Sequence, residues 1–477
     1  MDYRDYPCAY WDLNIKNSIG IIVKIDINKK GKVLVVGLGF RTGLTSANFL
    51  SQRGYKVTVS DNKSVAELTE IIKKLDKNVD VVVGKQSPEI LDENFDFLVL
   101  SPGVPASIPL IVEANKRALP VIAEVELAYY FMSGKWIAIT GTDGKSTTTS
   151  LTNHILRTLG YDSREGGNIG VPLISLVEKS KEDSVTVAEL SSFQLETVFD
   201  FHPGIATLLN LAPDHLDRYD SMDHYLQAKL RIGMNMGSSD YLVYNLDDEV
   251  IAYSAQQINA KGLSFSINDC NADCFYDGQT IFLKDENSKV KIDPSNLLIR
   301  GIHNIKNFMA SLLMIQSYIR LVGDEPDYST ILKAACDYPG LEHRLEYVAT
   351  IDGVTYINDS KATTVNSVKT AIAACGKDTV FIVGGRAKGE NYGLLAEALR
   401  TGVRHSVLIG ETADEFEKLF SHISHERAVS MEDAVKKARD FARSGDSVVL
   451  SPGCASFDMY KDFEERGRDF KRCVAEL

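Results

Sequence analysis

The sequence predicts an α/β protein of three domains, and three observations carry that prediction. Between Lys32 and Ile122, five short apolar runs (KVLVV, KVTVS, VDVVV, FLVL, PVI) alternate with helical patterns. A second set of runs surrounds the glycine-rich stretch Thr140 to Thr149, TGTDGKSTTT. From Tyr338 onward the alternation returns with VTYIN, TVFIVGG, HSVLIG and SVVLS. A chain of 477 residues is too long for one ordinary core and suits this division. The boundaries fall at 1–131, 132–337 and 338–477, with 1–31 an extension whose status the sequence leaves open.

The first domain reads as Rossmann-like. Its first run ends in Gly37-Leu38-Gly39-Phe40-Arg41-Thr42-Gly43, and its second is followed by Asp61. A glycine turn opening a helix, with an acid about 20 residues on, is the pattern that holds a dinucleotide. The last glycine falls one residue late for G-x-G-x-x-G, so the turn predicts a nucleotide of some kind, with NAD one option and a plain tight turn another. Ser101-Pro102-Gly103 follows FLVL at a strand's carboxyl end, where open α/β sheets place ligands.

The central domain reads as a P-loop-type ATPase domain with a parallel sheet and a small β appendage. Strand, glycine loop, lysine, hydroxyl and helix follow one another from Trp136 to Leu159, with Leu151, Ile155 and Leu159 on one helical face. Backbone N–H groups around Gly141, Thr142, Asp143 and Gly144 can face phosphate oxygens, the helix N-terminus adds partial positive charge, and Lys145 adds a full one. Ser146 or Thr147 can then hold Mg²⁺. The loop is shorter than G-x-x-x-x-G-K-[ST], because Ile139 stands where the first glycine would be.

Further polar residues follow the strands. Asn168 lies in the flexible loop GGNIG, and Glu189 ends the run from Val185, sharing a face with Val185 and Val187. Such a carboxylate beside a phosphate loop is placed for Mg²⁺. His215, in Asp214-His215-Leu216-Asp217, is either a cap or a ligand. The helix expected over Ser221 to Met236 carries Lys229 on the apolar stripe of Met222, Tyr225, Leu226 and Leu230. A lysine there must snorkel, pair or lose its charge. A neutral amine can add carbon dioxide to give a carbamate, an anion able to ligate Mg²⁺. Short strands between Asn245 and Arg300 form the β appendage, and Asn304 and Asn307 share the first turn of the next helix.

In the third, Rossmann-like domain, polar groups again follow strands: Asp359 to Thr363, Lys388, and Ser451 to Asp458. The formal charge of -13 and the lack of a dense basic block exclude a nucleic-acid scaffold. No apolar run approaches the ~18 to 20 residues of a membrane span. Seven scattered cysteines suit a reducing compartment better than a disulfide framework.

The motifs GTDGKSTTT, GGNIG, AELSSFQLE, NLAPDHLDRY, QAKLRI, GIHNIKN, GLEHRLE, INDSKAT and LSPGCASFDMYKDFEERG, in this order, resemble the Mur ligases from about Lys32 to the C-terminus. SSFQLE and the C-terminal motif look like the branch that adds D-glutamate. The resemblance implies ATP-dependent ligation of D-glutamate to UDP-N-acetylmuramoyl-L-alanine through an acyl phosphate, in cytoplasmic peptidoglycan precursor synthesis; a monomer is the expected form, with the sequence itself leaving oligomeric state open. It implies ATP, two Mg²⁺ ions and a carbamate on Lys229 as the chemical equipment. Carried over by position, Gly141 to Thr147 hold the ATP phosphates, with Ser146 and Glu189 on one Mg²⁺ and His215 and carbamylated Lys229 on the other. Asn168 and His215 match positions near the acyl phosphate. Asn304, Asn307, Arg344 and Asp359 match further ATP contacts, and Lys361, Thr363, Lys388, Ser456 and Phe463 match the D-glutamate pocket. Thr42, Asp61, Ser101, Pro102 and Gly103 resemble uridine-diphosphate contacts. ATP contacts drawn from two domains imply domain closure. A ligase adding another amino acid, an NAD(P)-dependent oxidoreductase and an inactive nucleotide-sugar sensor are the competing readings.

Overall fold

A computed structural model describes residues 25–215, 218–285 and 288–477. The opening segment before residue 25, and Leu216 and Asp217 of the DHLD run, lie outside the described residues. The chain divides into two compact units, one of residues up to Lys291 with Met309–Asp327, the other of Ile292–Phe308 with Tyr328–Leu477.

The first unit holds two sheets. In one, β1 (Lys32–Val36), β2 (Lys56–Asp61), β3 (Asp80–Val83), β4 (Phe97–Leu100) and β5 (Val121–Ala123) run in the order β3-β2-β1-β4-β5. All its pairings are parallel. Each run of the sequence that reads as a strand is one, and β1 and β4 are buried throughout or nearly so because helices cover both faces. The strand order reverses between β1 and β4, so the glycine turn after β1 and the Ser101 loop after β4 open on one crevice.

The other sheet of this unit is built from β6 (Lys135–Thr140), β7 (Ser163–Gly167), β8 (Val185–Glu189), β9 (Ile205–Leu208) and β10 (Tyr241–Asn245). It continues through β11 (Lys261–Ser266), β12 (Cys274–Tyr276), β13 (Ile281–Asp285) and β14 (Ser288–Ile292). Its order is β14-β13-β12-β11-β10-β9-β6-β8-β7. The β appendage is therefore the outer part of the central sheet: β11 pairs parallel with β10 and with β12, and β12 pairs antiparallel with β13. The helix read as Ser221 to Met236 is shorter. Ser221 caps Met222–Leu230, and Arg231–Gly233 tightens to a 3₁₀ turn. At Gly233 a Cβ would sit 2.8 Å from Ile258 Cδ1, so the tighter turn goes with close packing on that side chain.

Core residues of the two sheets form one cluster that includes Phe49, Leu127, Trp136, Leu173 and Phe201. Buried carboxylates at the start of the helix Glu124–Phe131 complete the joint. Glu124 accepts from Ile174 N at 2.7 Å, and Glu126 from Asp200 N and Phe201 N at 2.6 and 3.1 Å. Buried acceptors are tolerated here because main-chain donors satisfy them.

The second unit holds β15 (Glu346–Ile351), β16 (Val354–Asn358), β17 (Thr379–Gly384), β18 (His405–Ile409), β19 (His425–Arg427) and β20 (Ser447–Leu450) in the order β15-β16-β20-β17-β18-β19. The four strands expected from sequence are joined by two edges the pattern did not give. Strand β15 is antiparallel to β16 through Asp352-Gly353, both at positive φ (51° and 80°). Asp-Gly between two strand-like runs is a hairpin signal.

Candidate active site

Strand β6 runs into Gly141, at φ 156°, and the loop ends at Gly144, at φ 83°, which opens the helix Lys145–Thr158. Asn210, just beyond β9, braces the loop. Its side-chain oxygen accepts from Thr142 N and Asp143 N at 3.1 and 2.8 Å, and its amide donates to Asp143 O at 3.0 Å. The Thr142 hydroxyl donates to Ala212 O, accepts from Ala212 N, and lies 3.3 Å from Tyr225 OH. The loop is fixed from the β9 side. The first-turn N–H groups of Lys145, Ser146 and Thr147 have no helical partner by geometry and form an anion-facing end.

Two lysines converge on one loop carbonyl. Lys145 Nζ donates to Gly141 O at 3.0 Å and Thr142 O at 2.7 Å, and Lys229 Nζ donates to Gly141 O at 2.7 Å. Lys229 is 1% exposed and its ammonium sits 4.4 Å above the Tyr225 ring. Burial, then the charge of Lys145, push the Lys229 pKa down to about 7. Among the alternatives open from sequence, snorkelling is excluded by this burial.

Glu189, at the end of β8, is the register partner of Ile139, two residues before Gly141. One of its oxygens accepts from Asn168 Nδ2 at 3.0 Å; the other is buried with no partner. Asn168 N also donates to Glu189 O at 2.8 Å, so GGNIG is fastened to β8 by main chain and side chain together. Gly167 permits this approach: a Cβ there would stand 2.2 Å from Glu189 O. Glu165 lies on the same strand face, its carboxyl pushed upward by burial and, further down the order of causes, by Glu189. His215 adopts φ 53° and packs against Phe193 at 4.7 Å and Tyr225 at 6.3 Å between ring centroids. Among the described residues no group of three or more His, Cys, Asp or Glu is gathered as a metal site. The partnerless, buried Glu189 oxygen fits an ion that takes its other ligands from phosphate and water, as Mg²⁺ does.

In the first sheet's crevice the three glycines differ in role. Gly37 turns the chain at φ 93°, Gly39 has nothing within 4 Å of its Cβ position, and a Cβ on Gly43 would be 2.1 Å from Gly37 O. Turn, open approach and close packing are the three uses glycine has in nucleotide-binding turns, and the extra residue leaves them intact. Thr42 begins the helix Thr42–Gln52. Asp61 holds the turn, accepting from Leu38 N at 2.7 Å and Lys63 N at 2.9 Å. Ser101 Oγ donates to Gly37 O at 2.7 Å, and Pro102 O accepts from Arg218 at 3.3 Å, with Gly103 next in the loop. Arg41 reaches the central sheet's loop, donating to Gly167 O, Asn168 O and Gly170 O at 3.2, 3.1 and 2.8 Å.

In the second unit, the carboxyl ends of β16, β17 and β20 gather the expected residues. Asp359 is buried, accepts from Ser451 Oγ at 2.8 Å and Leu345 N at 3.2 Å, and is pushed up to about 7 by burial, against those bonds and the Arg344 charge. Lys388 Nζ donates to Thr363 Oγ1 at 3.0 Å, and Lys361 Nζ stands 5.9 Å over the Phe463 ring. Ser456 is buried beyond β20. Asn307 donates to Asn304 at 3.1 Å, and Asn304 to Arg300 O at 2.8 Å.

Three family models match the chain: "Mur ligase MurD-like, N-terminal domain" over 31–123, "Mur ligase middle domain" over 139–315 and "Mur ligase, glutamate ligase domain" over 343–454. Among similar proteins, the UDP-N-acetylmuramoylalanine–D-glutamate ligase of Koribacter versatilis is 40% identical over 95% of this chain and 99% of its own length. The protein of that name from Clostridioides difficile is 38% identical over 94% and 99%. The chain belongs to the Mur ligase family. The crystal structure of UDP-N-acetylmuramate-alanine ligase from Thermotoga maritima shares the fold, with a TM-score of 0.54, 19% identity, and 94% and 100% of the two chains covered.

With the chain placed among the Mur ligases, the oxidoreductase reading of Gly37 to Asp61 loses its ground. The structure of this Mur ligase brings Lys145, Lys229, Thr142 and Tyr225 together at the phosphate loop, and Asn168 with Glu189 beside it. Four residues escaped the sequence reading: Asn210, Tyr225 as more than a core residue, Glu165 and Arg41. Asn210 directly follows a strand-like run, which is a readable signal for a loop brace. Nothing in the sequence signals where the Arg41 guanidinium ends.

Proposed function

We propose that this Mur ligase joins D-glutamate to UDP-N-acetylmuramoyl-L-alanine at the expense of ATP, in the cytoplasmic stage of peptidoglycan synthesis. The observation that carries the reading is the convergence of Lys145 and Lys229 on Gly141 O of the phosphate loop, with the Asn168–Glu189 pair on the strand end next to the strand that leads into it. The choice of amino acid is supported by relatives named for D-glutamate along nearly their whole length.

The chemistry follows from the substrate. A carboxylate is a poor electrophile, so the γ-phosphoryl passes to the L-alanyl carboxylate, giving an acyl phosphate and ADP. The D-glutamate amine attacks the acyl carbon, and the tetrahedral adduct loses phosphate and a proton to leave the amide. Loop N–H groups from Gly141 to Thr147 and Lys145 orient and neutralise the ATP phosphates. Asn168 donates toward the acyl phosphate, and His215, whose ring packs edge-on to Tyr225, stands near it. Ser146 and Glu189 would hold one Mg²⁺, and His215 with a carbamate on Lys229 a second; bound there, the ions supply charge neutralisation during phosphoryl transfer. An amine with a pKa of about 7 is neutral often enough to take up carbon dioxide, which supports the carbamate.

The remaining assignments belong to the same proposal. Asn304, Asn307, Arg344 and Asp359 serve ATP. Lys361, Thr363, Lys388, Ser456 and Phe463 bind D-glutamate, whose two carboxylates need cationic and hydroxyl donors. Thr42, Asp61, Ser101, Pro102 and Gly103 border the uridine diphosphate, Asp61 through its hold on the turn. The working form is a monomer, with functional domains at 1–131, 132–337 and 338–477. Phosphate release is to be measured with UDP-N-acetylmuramoyl-L-alanine, Mg²⁺ and ATP, adding D-glutamate, L-glutamate, L-alanine or meso-diaminopimelate singly. Turnover is expected with D-glutamate alone. Turnover with a different amino acid would overturn the pocket assignment, and turnover with none would favour a nucleotide-sugar sensor.

A further inference from the structure

Arg41 stands one residue before the helix Thr42–Gln52, in the part of the glycine turn that is one residue longer than G-x-G-x-x-G. Its guanidinium leaves its own domain. Three carbonyls of one short segment, Gly167, Asn168 and Gly170, accept its hydrogen bonds at 2.8 to 3.2 Å. A planar fork of five donors can meet three converging carbonyls; an ammonium on a flexible stem cannot hold them in one plane. Among the described residues no ion pair is formed by Arg41, and its charge acts at longer range on the buried carboxyl of Glu124.

What lies beyond that segment gives the contact its meaning. Asn168, whose carbonyl Arg41 holds, is tied to Glu189 twice, by N–H to Glu189 O at 2.8 Å and by Nδ2 to Oε1 at 3.0 Å. The other Glu189 oxygen is buried and without a partner, beside the phosphate loop. At the other end, Arg41 is two residues from Gly39, the glycine with open space before it. One side chain therefore links the open face of the glycine turn to the carboxylate at the nucleotide site.

We propose that Arg41 is a positioning residue that couples occupancy of the first domain's crevice by the diphosphate-bearing substrate to the geometry of Asn168 and Glu189 at the ATP site. The inference rests on the function proposed above. A diphosphate settling at the turn brings a second, stronger anion to a guanidinium otherwise held by three carbonyls and the field of Glu124, and any movement of Arg41 is passed to the 167–170 segment. Coupling of this kind is reciprocal: the substrate changes nucleotide affinity by the factor by which nucleotide changes substrate affinity.

The test is calorimetric titration of a non-hydrolysable ATP analogue with Mg²⁺ into the full chain, with and without saturating UDP-N-acetylmuramoyl-L-alanine. The variants are wild type, Arg41→Ala, Arg41→Lys and Arg53→Ala. Arg53 pairs with Glu178 between the same two layers but touches neither the turn nor the 167–170 segment, so it controls for general loosening of the joint. Wild type and Arg53→Ala are expected to show about a tenfold change in nucleotide affinity on adding substrate, within the usual range of coupling. Arg41→Ala is expected to bring the ratio to about one, and Arg41→Lys to retain less than half of the effect. A ratio in Arg41→Ala equal to wild type, an equal loss in Arg53→Ala, or no coupling in wild type would each overturn the proposal. Failure of wild type to bind the UDP-substrate at all would instead sink the functional reading, and the two failures are separate observations.

Discussion

Lys229 is the side chain whose position asks most of the surrounding structure. An ammonium with 1% exposure, held by one carbonyl and one aromatic face, is costly to keep charged. Its folded pKa of about 7 lies below the ordinary 10.5. The unfolded chain therefore holds the extra proton between those values, and stability rises as pH climbs from about 7 toward 10.5. Replacing it by methionine keeps the apolar stem and removes the charge. Lys229→Met is expected to melt higher than wild type below pH ~7, to lose that rise, and to lose turnover on the order of 10²-fold or more, the scale of a removed charge-stabilising group. Melting curves across pH and phosphate release measure the two effects separately. In wild type stripped of dissolved carbon dioxide, activity should return on adding bicarbonate. Rates indifferent to bicarbonate would remove the carbamate from the mechanism.

The glycine turn and the helix it starts succeed or fail together. Gly43 abuts Gly37 O so closely that a Cβ would lie 2.1 Å from it, against backbone that cannot rotate away. Gly43→Ala is expected to cost about 1–3 kcal/mol, by the overpacking argument, and to shift the helix Thr42–Gln52 off β1. Affinity for the UDP-substrate should fall while ATP-analogue affinity in its absence holds. Denaturant unfolding and calorimetry report these outcomes, and a variant with native stability would show that the helix has room to move. Gly39→Ala, with nothing within 4 Å, should be stable and yet bind the diphosphate less well, which separates packing from approach. In sequence the last glycine falls one residue late for G-x-G-x-x-G, which leaves a nucleotide turn and a plain tight turn both open. In the structure the three glycines keep separate roles across the longer turn, and Arg41 within it reaches the 167–170 carbonyls.

The joint between the two sheets of the first unit is sealed by carboxylates, and its pH dependence follows from them. Glu124 is 1% exposed and its carboxyl is raised by burial to about 7, against the bond from Ile174 N and the charge of Arg41. The folded protein thus binds more protons than the unfolded chain between about 4.5 and 7, and stability falls as pH rises through that window. The loss is at most about 3 kcal/mol, from the free energy equivalent of such a pKa change. Glu124→Gln retains an acceptor for Ile174 N and removes the ionisation, so it is expected to flatten this slope; an unchanged slope in thermal unfolding would assign it to another group.

The alternation of apolar runs was enough to give the α/β class, the five strands of the first sheet, the phosphate loop, and the anomaly of Lys229, because each depends on local period and on residue chemistry within a few positions. The family resemblance was equally legible, since it rests on ordered motifs. Edges were not: β19 is three residues long, and β15 needed its Asp-Gly turn recognised as a hairpin. That the β appendage extends the central sheet, that Lys229 and Lys145 share one carbonyl, that Asn210 braces the loop, and that Arg41 crosses to Asn168 were decided only by tertiary structure. These contacts join residues tens to more than a hundred positions apart. Their existence depends on strand order and on where long side chains end, and neither quantity is written in local periodicity.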